Sequence, residues 1–474
     1  MTSIRACLLT ASLAAAGLAQ AQTAPSTPAP ATKADDSSLT WKGITLYGIV
    51  DVGIQYDTHS APFSDYFPAT SGSLIQKNDY DSPTGLTSNN LSQSRIGLSG
   101  NEPIGGDWAA VFRFETFFNP SSGNISDALK SVALNNGKAL TAQTVGVDSS
   151  VAGQLFSGAA YAGFSSPTYG SFTFGRNVTL LADGIAKYDP MGAAQAFSII
   201  GYSGTAAGGG DTEDRRLDQS LKYYGKYDWL HLGALYQFSG ASGSMNTGFQ
   251  FELGAEYAGF SIDGYYMKKY DAISVGSLSA AQVATLQAGS CTAAPPATPQ
   301  CWSIYNSLAA TVSDNQTYSV MVLYAIPGST VKVSGGYERV TFDNPNNPLP
   351  PGTETIGGYV LAFTNNTAYV NQKVLEVYWA GVKWGLTPAL DMTAAYYGYS
   401  QNAFATGASA GCSTTANAGC SGTETGLSLL FDYRLSKRFD VYAGTFYTEV
   451  QDGLANGYIN RTNIATTAGL RFKF

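Results

Sequence analysis

The sequence has 474 residues, of which 13% are charged, and its formal net charge is −8. Soluble domains usually carry about a quarter charged residues, so this low fraction favours a chain with one face toward an apolar medium. The acidic balance argues against nucleic acid as a partner, because phosphates are bound by Lys and Arg clusters.

Residues 1–21 have the pattern of a secretory signal peptide. Arg5 precedes an uncharged apolar run that ends at Ala19, and this run is too short for a membrane-spanning helix. Ala19 and Ala21 have the small-x-small spacing of a cleavage site. We therefore expect an exported mature chain that starts at Gln22.

The next segment, QTAPSTPAPATKADDSSLT at 22–40, is rich in Pro, Ala, Ser and Thr. Such a composition cannot bury enough apolar surface to form a core. This segment is therefore predicted to be a linker that precedes a folded domain at residues 41–474.

After the linker, the chain repeats strand-like segments in which apolar and polar residues alternate. In the first segment, Leu46, Val50 and Ile54 fall on one parity, while Asp51 and Gln55 fall on the other. Successive side chains of a strand point to opposite faces, so each segment has one apolar and one polar face. Turned inward, the apolar face would build a soluble sandwich, and turned outward it would face lipid.

A later segment carries charge on its polar face. Arg113 and Glu115 share one parity, and Phe112 and Phe114 share the other. Two neighbouring charges of this kind can be solvated in a wide, water-filled lumen. This segment therefore favours the membrane barrel over the sandwich.

The connections between segments are alternately long and short. Seven short connections hold the Gly, Pro, Asn, Asp and Ser residues that tight turns need. The eight long gaps fall at about 57–90, 119–153, 178–219, 239–248, 272–315, 342–371, 401–422 and 451–461. The pattern predicts an all-β fold, a transmembrane antiparallel β-barrel of about 16 strands with short periplasmic turns and long extracellular loops. The linker and both ends of the barrel then lie in the periplasm, beneath an outer membrane.

The chain ends in GLRFKF, where Leu470, Phe472 and Phe474 alternate with Arg471 and Lys473. Chain termini are usually frayed and polar, whereas this one has the period of a strand. We expect the last strand to close the barrel, because an open edge in hydrocarbon would leave backbone groups unpaired.

Four cysteines remain after the signal peptide. Cys291 and Cys301 form one close pair in the sequence, and Cys412 and Cys420 form another. Two local disulfides are the simplest expectation in an exported protein, and cross-links between the two pairs are the alternative. We expect no metal site, because neither pair has the spacing or the nearby histidine of a zinc site.

The histidines give no sign of catalysis. The chain holds two, His59 and His231, and the strand count places them at opposite ends of the barrel. No Ser–His–Asp arrangement can be proposed from their neighbours, so we expect neither an enzyme nor a cofactor.

Four stretches stand out, namely TLYGIVDVGIQY at 45–56, SRIGLSGNEPIGGDWAAVFRFE at 94–115, AYAGFSSPTYGSFTFGRN at 160–177 and the terminal GLRFKF. Together they resemble the trimeric general diffusion porins of Gram-negative outer membranes. The resemblance implies a homotrimer surrounded by outer-membrane lipid and lipopolysaccharide, with a third loop folded into the lumen. It also implies that Leu470, Phe472 and Phe474 are the signal recognised by the barrel-assembly machinery.

The resemblance further implies a constriction, in which carboxylates of the third loop face arginines of the barrel wall and set charge selectivity. Gly158 occupies the place expected for a middle arginine, and this departure weakens the expectation of strong anion selectivity. The candidate pore-lining residues are Asp51, Arg95, Arg113, Glu115, Arg176, Asp183, Asp189, Arg215 and Arg216.

Two other features admit more than one interpretation. Asp211, Glu213 and Asp214 could form a hydrated loop tip, a charged pore mouth or a calcium site, although they lack an ordered ligand spacing. Tryptophans near strand ends are interpreted as aromatic girdles, and a binding slide for sugars or aromatic solutes is the alternative. The tryptophans considered are Trp108, Trp229, Trp302, Trp379 and Trp384, of which Trp302 is the exception because it falls beside Cys301 in a long outer loop.

The leading functional hypothesis is a water-filled channel for passive diffusion of small hydrophilic solutes and ions. A substrate-specific channel for a small organic solute is the first alternative, because the outer loops are long. An adhesin or structural barrel with a blocked lumen is the second, and it is disfavoured by charged lumen residues.

Overall fold

A computed structural model of the chain describes residues 39–60, 63, 81–123, 125, 155–200, 215–238, 247–277, 308–346, 355–356, 359–360 and 363–474. The predicted signal peptide, nearly all of the linker and the pair Cys291 and Cys301 lie outside these residues. The acidic group of Asp211, Glu213 and Asp214 also lies outside them.

Sixteen strands of the described residues form one antiparallel barrel, as the sequence predicted. In chain order they are β1 (Ile44–Asp57), β2 (Arg95–Gly105), β3 (Trp108–Phe117), β4 (Ala160–Ser166), β5 (Gly170–Val178), β6 (Arg216–Tyr227), β7 (Leu230–Gln237), β8 (Gly248–Tyr257), β9 (Phe260–Ser277), β10 (Leu308–Ala325), β11 (Val331–Asp343), β12 (Lys373–Gly385), β13 (Leu390–Gln401), β14 (Gly422–Arg434), β15 (Phe439–Asp452) and β16 (Thr462–Lys473).

Shorter elements accompany the barrel. Among the described residues, the α-helix α1 (Leu180–Tyr188) lies between β5 and β6, and no helix has the length and apolarity needed to cross a membrane. Short strands occupy Thr40–Trp41, Thr84–Ser88, Thr355–Ile356, Tyr359–Val360 and Phe363–Asn365, and 3-10 turns occupy Gly407–Ser409 and Gly453–Ala455.

The last strand closes the barrel against the first, which confirms the prediction made from the C-terminal alternation. β16 pairs antiparallel with β1, with Leu470 opposite Val52 and Lys473 opposite Ile49. The pairing continues to the last residue, since the N–H of Phe474 donates to the oxygen of Gly48 at 3.1 Å and the reverse bond is 2.9 Å. No side chain fits at Gly48, because a Cβ there would overlap the Phe474 ring.

Long and short connections alternate around the barrel, so the long loops share one end. The turn between β8 and β9 contains only Ala258 and Gly259, both with positive φ (50° and 82°). Positive φ at both central residues is the geometry of the tightest hairpins, and a glycine adopts it without steric cost.

Several predicted gap boundaries were wrong. The second gap extends beyond 153, because β4 begins at Ala160. The fifth gap is shorter than 272–315, because β9 and β10 remain paired as far as Ser277 and Leu308. Backbone pairing requires no alternation of side chains, so the hydrophobic pattern ends before the strands do. The third gap is also shorter than predicted, because Arg216 already begins β6.

Side chains on the outer face of the barrel are apolar and exposed. Ile54 on β1, Leu253 on β8 and Val320 on β10 each expose half or more of their surface. Exposed apolar residues on successive strands suit contact with lipid, and the neighbouring inward positions, such as Asp51 and Gln250, are polar and buried.

The interior of the barrel also contains an apolar cluster. Leu181, Ile185 and Phe197, which lie between β5 and β6, pack with inward residues of the wall such as Trp379 and Tyr442. The sequence alternation predicted a polar lumen, and the structure adds an apolar zone where the third connection meets the wall.

Candidate functional site

Residues 179–200 of the third connection lie inside the barrel, as predicted for this loop. Helix α1 begins after Thr179, whose hydroxyl oxygen accepts a hydrogen bond from the N–H of Ala182 at 3.2 Å. On the inner wall, Gln250 of β8 accepts a second bond from the N–H of Leu180 at 2.8 Å. These two acceptors satisfy N–H groups that a helix start would otherwise leave without a partner.

Three side chains of β12 and β13 hold the described part of this connection that follows helix α1. Trp379 Nε1 on β12 donates to the carbonyl oxygen of Tyr188 at 3.2 Å. On β13, the hydroxyl of Tyr397 donates to Asp189 at 2.6 Å, and that of Tyr399 donates to the oxygen of Ile199 at 3.3 Å. Because these contacts come from inward faces of different strands, residues 179–200 cross the lumen.

The girdle interpretation was wrong for Trp379. Its side chain is buried inside the barrel, where its indole N–H finds a backbone acceptor. By contrast, Trp229 and Trp384 are exposed, and Trp108 stacks on Tyr169 with ring centroids 5.6 Å apart. The position of Trp379 in mid-strand, on the inward parity, was the signal that could have distinguished a tryptophan inside the barrel from one in an interfacial girdle.

Asp189 ends helix α1 and is buried. Besides the Tyr397 bond, its carboxylate accepts the N–H groups of Met191 at 3.0 Å and Ala193 at 2.8 Å. Burial raises the pKa of Asp189, although its hydrogen bonds oppose that shift. These contacts fix the chain after the helix, and a pore-lining role for Asp189 stays a prediction.

Asp51, another candidate, is fully buried on the inner face of β1. Its carboxylate accepts the N–H groups of Leu91 and Ser92, both at 2.8 Å, and the hydroxyl of Tyr442 on β15. Asp51 therefore ties the segment before β2 to the wall, and its role in permeation also stays a prediction.

A charged cluster centred on Glu115 lies on the inner wall of β1, β2 and β3. Glu115 is buried and accepts hydrogen bonds from Arg113 Nη2 at 2.8 Å and from the Tyr47 hydroxyl at 3.0 Å. Arg95 Nε lies 3.8 Å from the same carboxylate oxygen. The Arg95 and Arg113 side chains expose 23% and 27% of their surface, so the cluster presents positive charge to the lumen.

Arg216 and Arg176 extend this positive region. The guanidinium of Arg216 on β6 lies 4.5 Å from the ring centroid of Phe117, beside Glu115. Arg176 donates to the carbonyl oxygens of Gly158 at 2.9 Å and Ser157 at 3.1 Å, and it pairs with Asp218. The sequence predicted all of these arginines as candidates, and the folded chain brings Arg95, Arg113 and Arg216 around Glu115.

Gly158 lies in this cluster. Its N–H donates to the carbonyl oxygen of Glu115 at 2.8 Å, and a Cβ at Gly158 would lie 2.6 Å from Glu115 Oε1. An arginine at this position would therefore displace the Glu115 side chain.

Arg215 is half-buried, and its carbonyl oxygen accepts the N–H of Thr179 at 3.1 Å.

Asp183 of helix α1 forms an ion pair with Lys222 of β6. Two similar pairs lie nearby: Lys187 with Asp263 at 3.1 Å, and Lys226 with Glu256 at 3.0 Å. Apart from Asp183, the members of these pairs were missed in the sequence. Inward parity was the available signal for those on β6, β8 and β9, but parity alone does not show that they meet α1.

His231, Glu252 and Asp263 lie together on this part of the wall. One ligand atom of each lies within 4.8 Å of those of the other two. His231, the second residue of β7, is buried, and its Nδ1 lies 3.0 Å from Asp263 Oδ1. His59 lies apart from them, with Nδ1 2.9 Å from the oxygen of Thr462.

Cys412 and Cys420 form a disulfide in the loop between β13 and β14, with Cα atoms 4.8 Å apart. This confirms the local pairing predicted for these two cysteines. The bridge joins the two sides of an outer loop, away from the charged wall.

Comparisons with known proteins agree with the geometry. A sequence model of the Gram-negative porin family matches residues 8–349. An outer membrane porin protein of Bordetella pertussis is 28% identical over 200 residues, which are 41% of this chain and 43% of that protein. The match thus spans less than half of that relative.

Solved structures share the fold. The anion-selective porin from Comamonas acidovorans has a TM-score of 0.57 at 16% identity, covering 91% of this chain and 99% of that chain. OmpT, an outer membrane protein of Vibrio cholerae, has a TM-score of 0.51 at 14% identity, covering 92% of this chain and 100% of that one. At such identities the likeness concerns the barrel architecture alone.

Proposed function

Because this chain belongs to the Gram-negative porin family, we propose that it forms a water-filled outer-membrane channel for passive diffusion of small hydrophilic solutes and ions. The observation that carries the proposal is the partly exposed arginine pair, Arg95 and Arg113, on the inner wall of a closed barrel. Charged side chains in a lumen remain hydrated, so they favour a conducting pore over a packed core.

The mechanism that we propose is electrostatic. Arg95, Arg113 and Arg216 surround a single carboxylate, Glu115, so this side of the lumen carries an excess of positive charge. Next to this wall, helix α1 presents Asp183 in a pair with Lys222. A field between this basic wall and the carboxylates of the third loop would orient polar solutes, and the excess of wall arginines would favour anions modestly.

A substrate-specific channel is the second candidate. The apolar cluster around α1 fills part of the lumen and brings the third connection against the wall. A narrowed pore with both apolar and charged surfaces would select organic solutes that carry a charge. Trimer formation, and assembly through the C-terminal strand, belong to the same proposal.

Conductance in planar bilayers tests the proposal. Purified, folded protein should give stepwise current increases in potassium chloride, with each step corresponding to one inserted particle. If folded protein inserts without conducting any ions, the channel proposal fails and the adhesin or structural barrel becomes the better hypothesis. If a charged organic solute reduced the ion current through the channel, the substrate-specific channel would be favoured.

A further inference from the structure

We propose that His231, Glu252 and Asp263 form a binding site for a divalent transition-metal ion of the zinc class on the inner wall of the barrel. The three side chains come from adjacent strands, β7, β8 and β9, at inward positions. One ligand atom of each lies within 4.8 Å of those of the other two.

Glu252 provides the first argument, because it is a buried carboxylate without a partner. It is 8% exposed, and among the described residues it makes neither a hydrogen bond nor an ion pair. Its basic neighbours Lys222 and Lys187 each pair with another carboxylate. A buried anion without compensation is costly, and a bound cation removes that cost.

The backbone provides the second argument. Gly254 stands between His231 and Asp263 in the sheet, opposite both. A Cβ at Gly254 would overlap the Asp263 carboxylate. The absence of a side chain at this position lets the imidazole reach across β8, so that His231 Nδ1 lies 3.0 Å from Asp263 Oδ1.

The environment of the histidine gives the third argument. His231 is 1% exposed, and its Nε2 makes no hydrogen bond within the described residues. The nearest carboxylate oxygen, Glu256 Oε2, is 3.5 Å away. When Nδ1 binds a metal, Nε2–H donates outward, and an acidic group at that position orients the ring as outer-sphere carboxylates commonly do.

The ligand chemistry selects the ion. One imidazole nitrogen and two carboxylate oxygens suit zinc, whose bonds to such atoms are about 2.0–2.2 Å long. Ligand atoms on a tetrahedral ion are then about 3.5 Å apart. His231 Nδ1 and Asp263 Oδ1, which are 3.0 Å apart, must therefore separate slightly, while the Glu252 carboxylate moves toward them. Asp263 keeps its bonds from Lys187 and Tyr188 on the other oxygen, Oδ2, while Oδ1 turns to the ion.

Calorimetric titration with zinc chloride tests the site, using folded, full-length protein that has been treated with a chelator. We expect saturable binding of one ion per chain. Glu252→Gln should weaken the affinity at least tenfold, because it keeps the shape of the side chain and removes the anionic ligand. His231→Ala should weaken the affinity by a similar or larger factor.

His59→Ala is the matched control, because it removes the other histidine of the chain and should leave the affinity unchanged. Cobalt(II) gives a second readout, since its visible absorption changes when imidazole nitrogen enters the coordination sphere. Absence of saturable binding, or equal affinity in wild type and Glu252→Gln, would overturn the proposal. Glu252 would then be a carboxyl group that keeps its proton.

Discussion

Glu115 controls the net charge of the wall cluster at the scale of single residues. It is the carboxylate that Arg95, Arg113 and Tyr47 share. Removing its charge leaves the arginines uncompensated, while a glutamine can still accept hydrogen bonds. The effect on the pore should therefore be mainly electrostatic.

Glu115→Gln should shift ion selectivity toward anions. One charge at about 5 Å from the ion path in water contributes about 0.8 kcal/mol, which is about a fourfold change in the permeability ratio before screening by salt. The measurement is the zero-current potential across a salt gradient in a planar bilayer. Arg113→Gln should move the potential in the opposite direction.

Glu376→Gln is the matched control for this prediction. Glu376 is an exposed residue of β12 that pairs with Arg339 and accepts a bond from Tyr337, at a distance from the wall cluster. Glu376→Gln removes one negative charge, as Glu115→Gln does. A Glu115→Gln channel whose potential equals that of Glu376→Gln would show that the cluster lies outside the ion path.

At the scale of elements, the third connection depends on wall side chains that lie far from it in sequence. Tyr397 and Asp189 are the clearest pair, with a bond of 2.6 Å between a buried hydroxyl and a buried carboxylate. A hydrogen bond to a charged group contributes about 1.5–3 kcal/mol. Its loss should loosen the connection without opening the barrel.

Tyr397→Phe should speed amide hydrogen exchange in residues 180–200 by about tenfold to hundredfold, which is the factor expected for that energy. Exchange measured by mass spectrometry checks this, and current noise in single channels should rise in parallel. Tyr396→Phe is the control, because Tyr396 is the next residue, lies on the outer face and is exposed. Equal exchange in the two variants would contradict the anchoring role.

The last strand gives a second prediction at this scale. Deleting Phe474 removes two backbone hydrogen bonds to Gly48 and the ring that covers it. The loss should cost about 1–3 kcal/mol and lower the fraction of heat-modifiable, folded barrel seen on gels. Phe474→Leu keeps both backbone bonds, so it should fold to nearly the wild-type extent if barrel closure is what matters.

At the scale of the whole molecule, the barrel is held in place by its outer apolar surface. Leu253 and Tyr257 lie on the same face of β8, both exposed, with Leu253 in mid-strand and Tyr257 at the turn. They are about 13 Å apart along the strand, from a rise of about 3.3 Å per residue. This distance places Leu253 near the middle of the membrane and Tyr257 near its edge.

Leu253→Arg should destabilise the folded barrel by about 2–4 kcal/mol, whereas Tyr257→Arg should cost about 0–1 kcal/mol, because the penalty depends on depth in the bilayer. Reversible unfolding by denaturant in lipid vesicles measures both values. Equal costs for the two variants would mean that this face of β8 does not contact the centre of the bilayer.

The sequence determined the architecture of this protein, because alternation, loop lengths and the terminal strand are local patterns. Asp51, Arg113 and Glu115 could be assigned to an inward face from parity alone, since a strand has a period of two. The family resemblance added Arg95 and Arg216 as wall residues, and the structure brings both beside Glu115.

The tertiary structure decided which of these side chains meet. Trp379 contacts Tyr188, Tyr442 contacts Asp51, and His231 contacts Asp263, because closing the barrel and folding the third connection inward bring distant segments together. Parity gives the face of a strand but neither the height nor the angular position of a residue in a closed barrel. Those two coordinates depend on strand register and on the path of the third connection, which only the folded chain fixes.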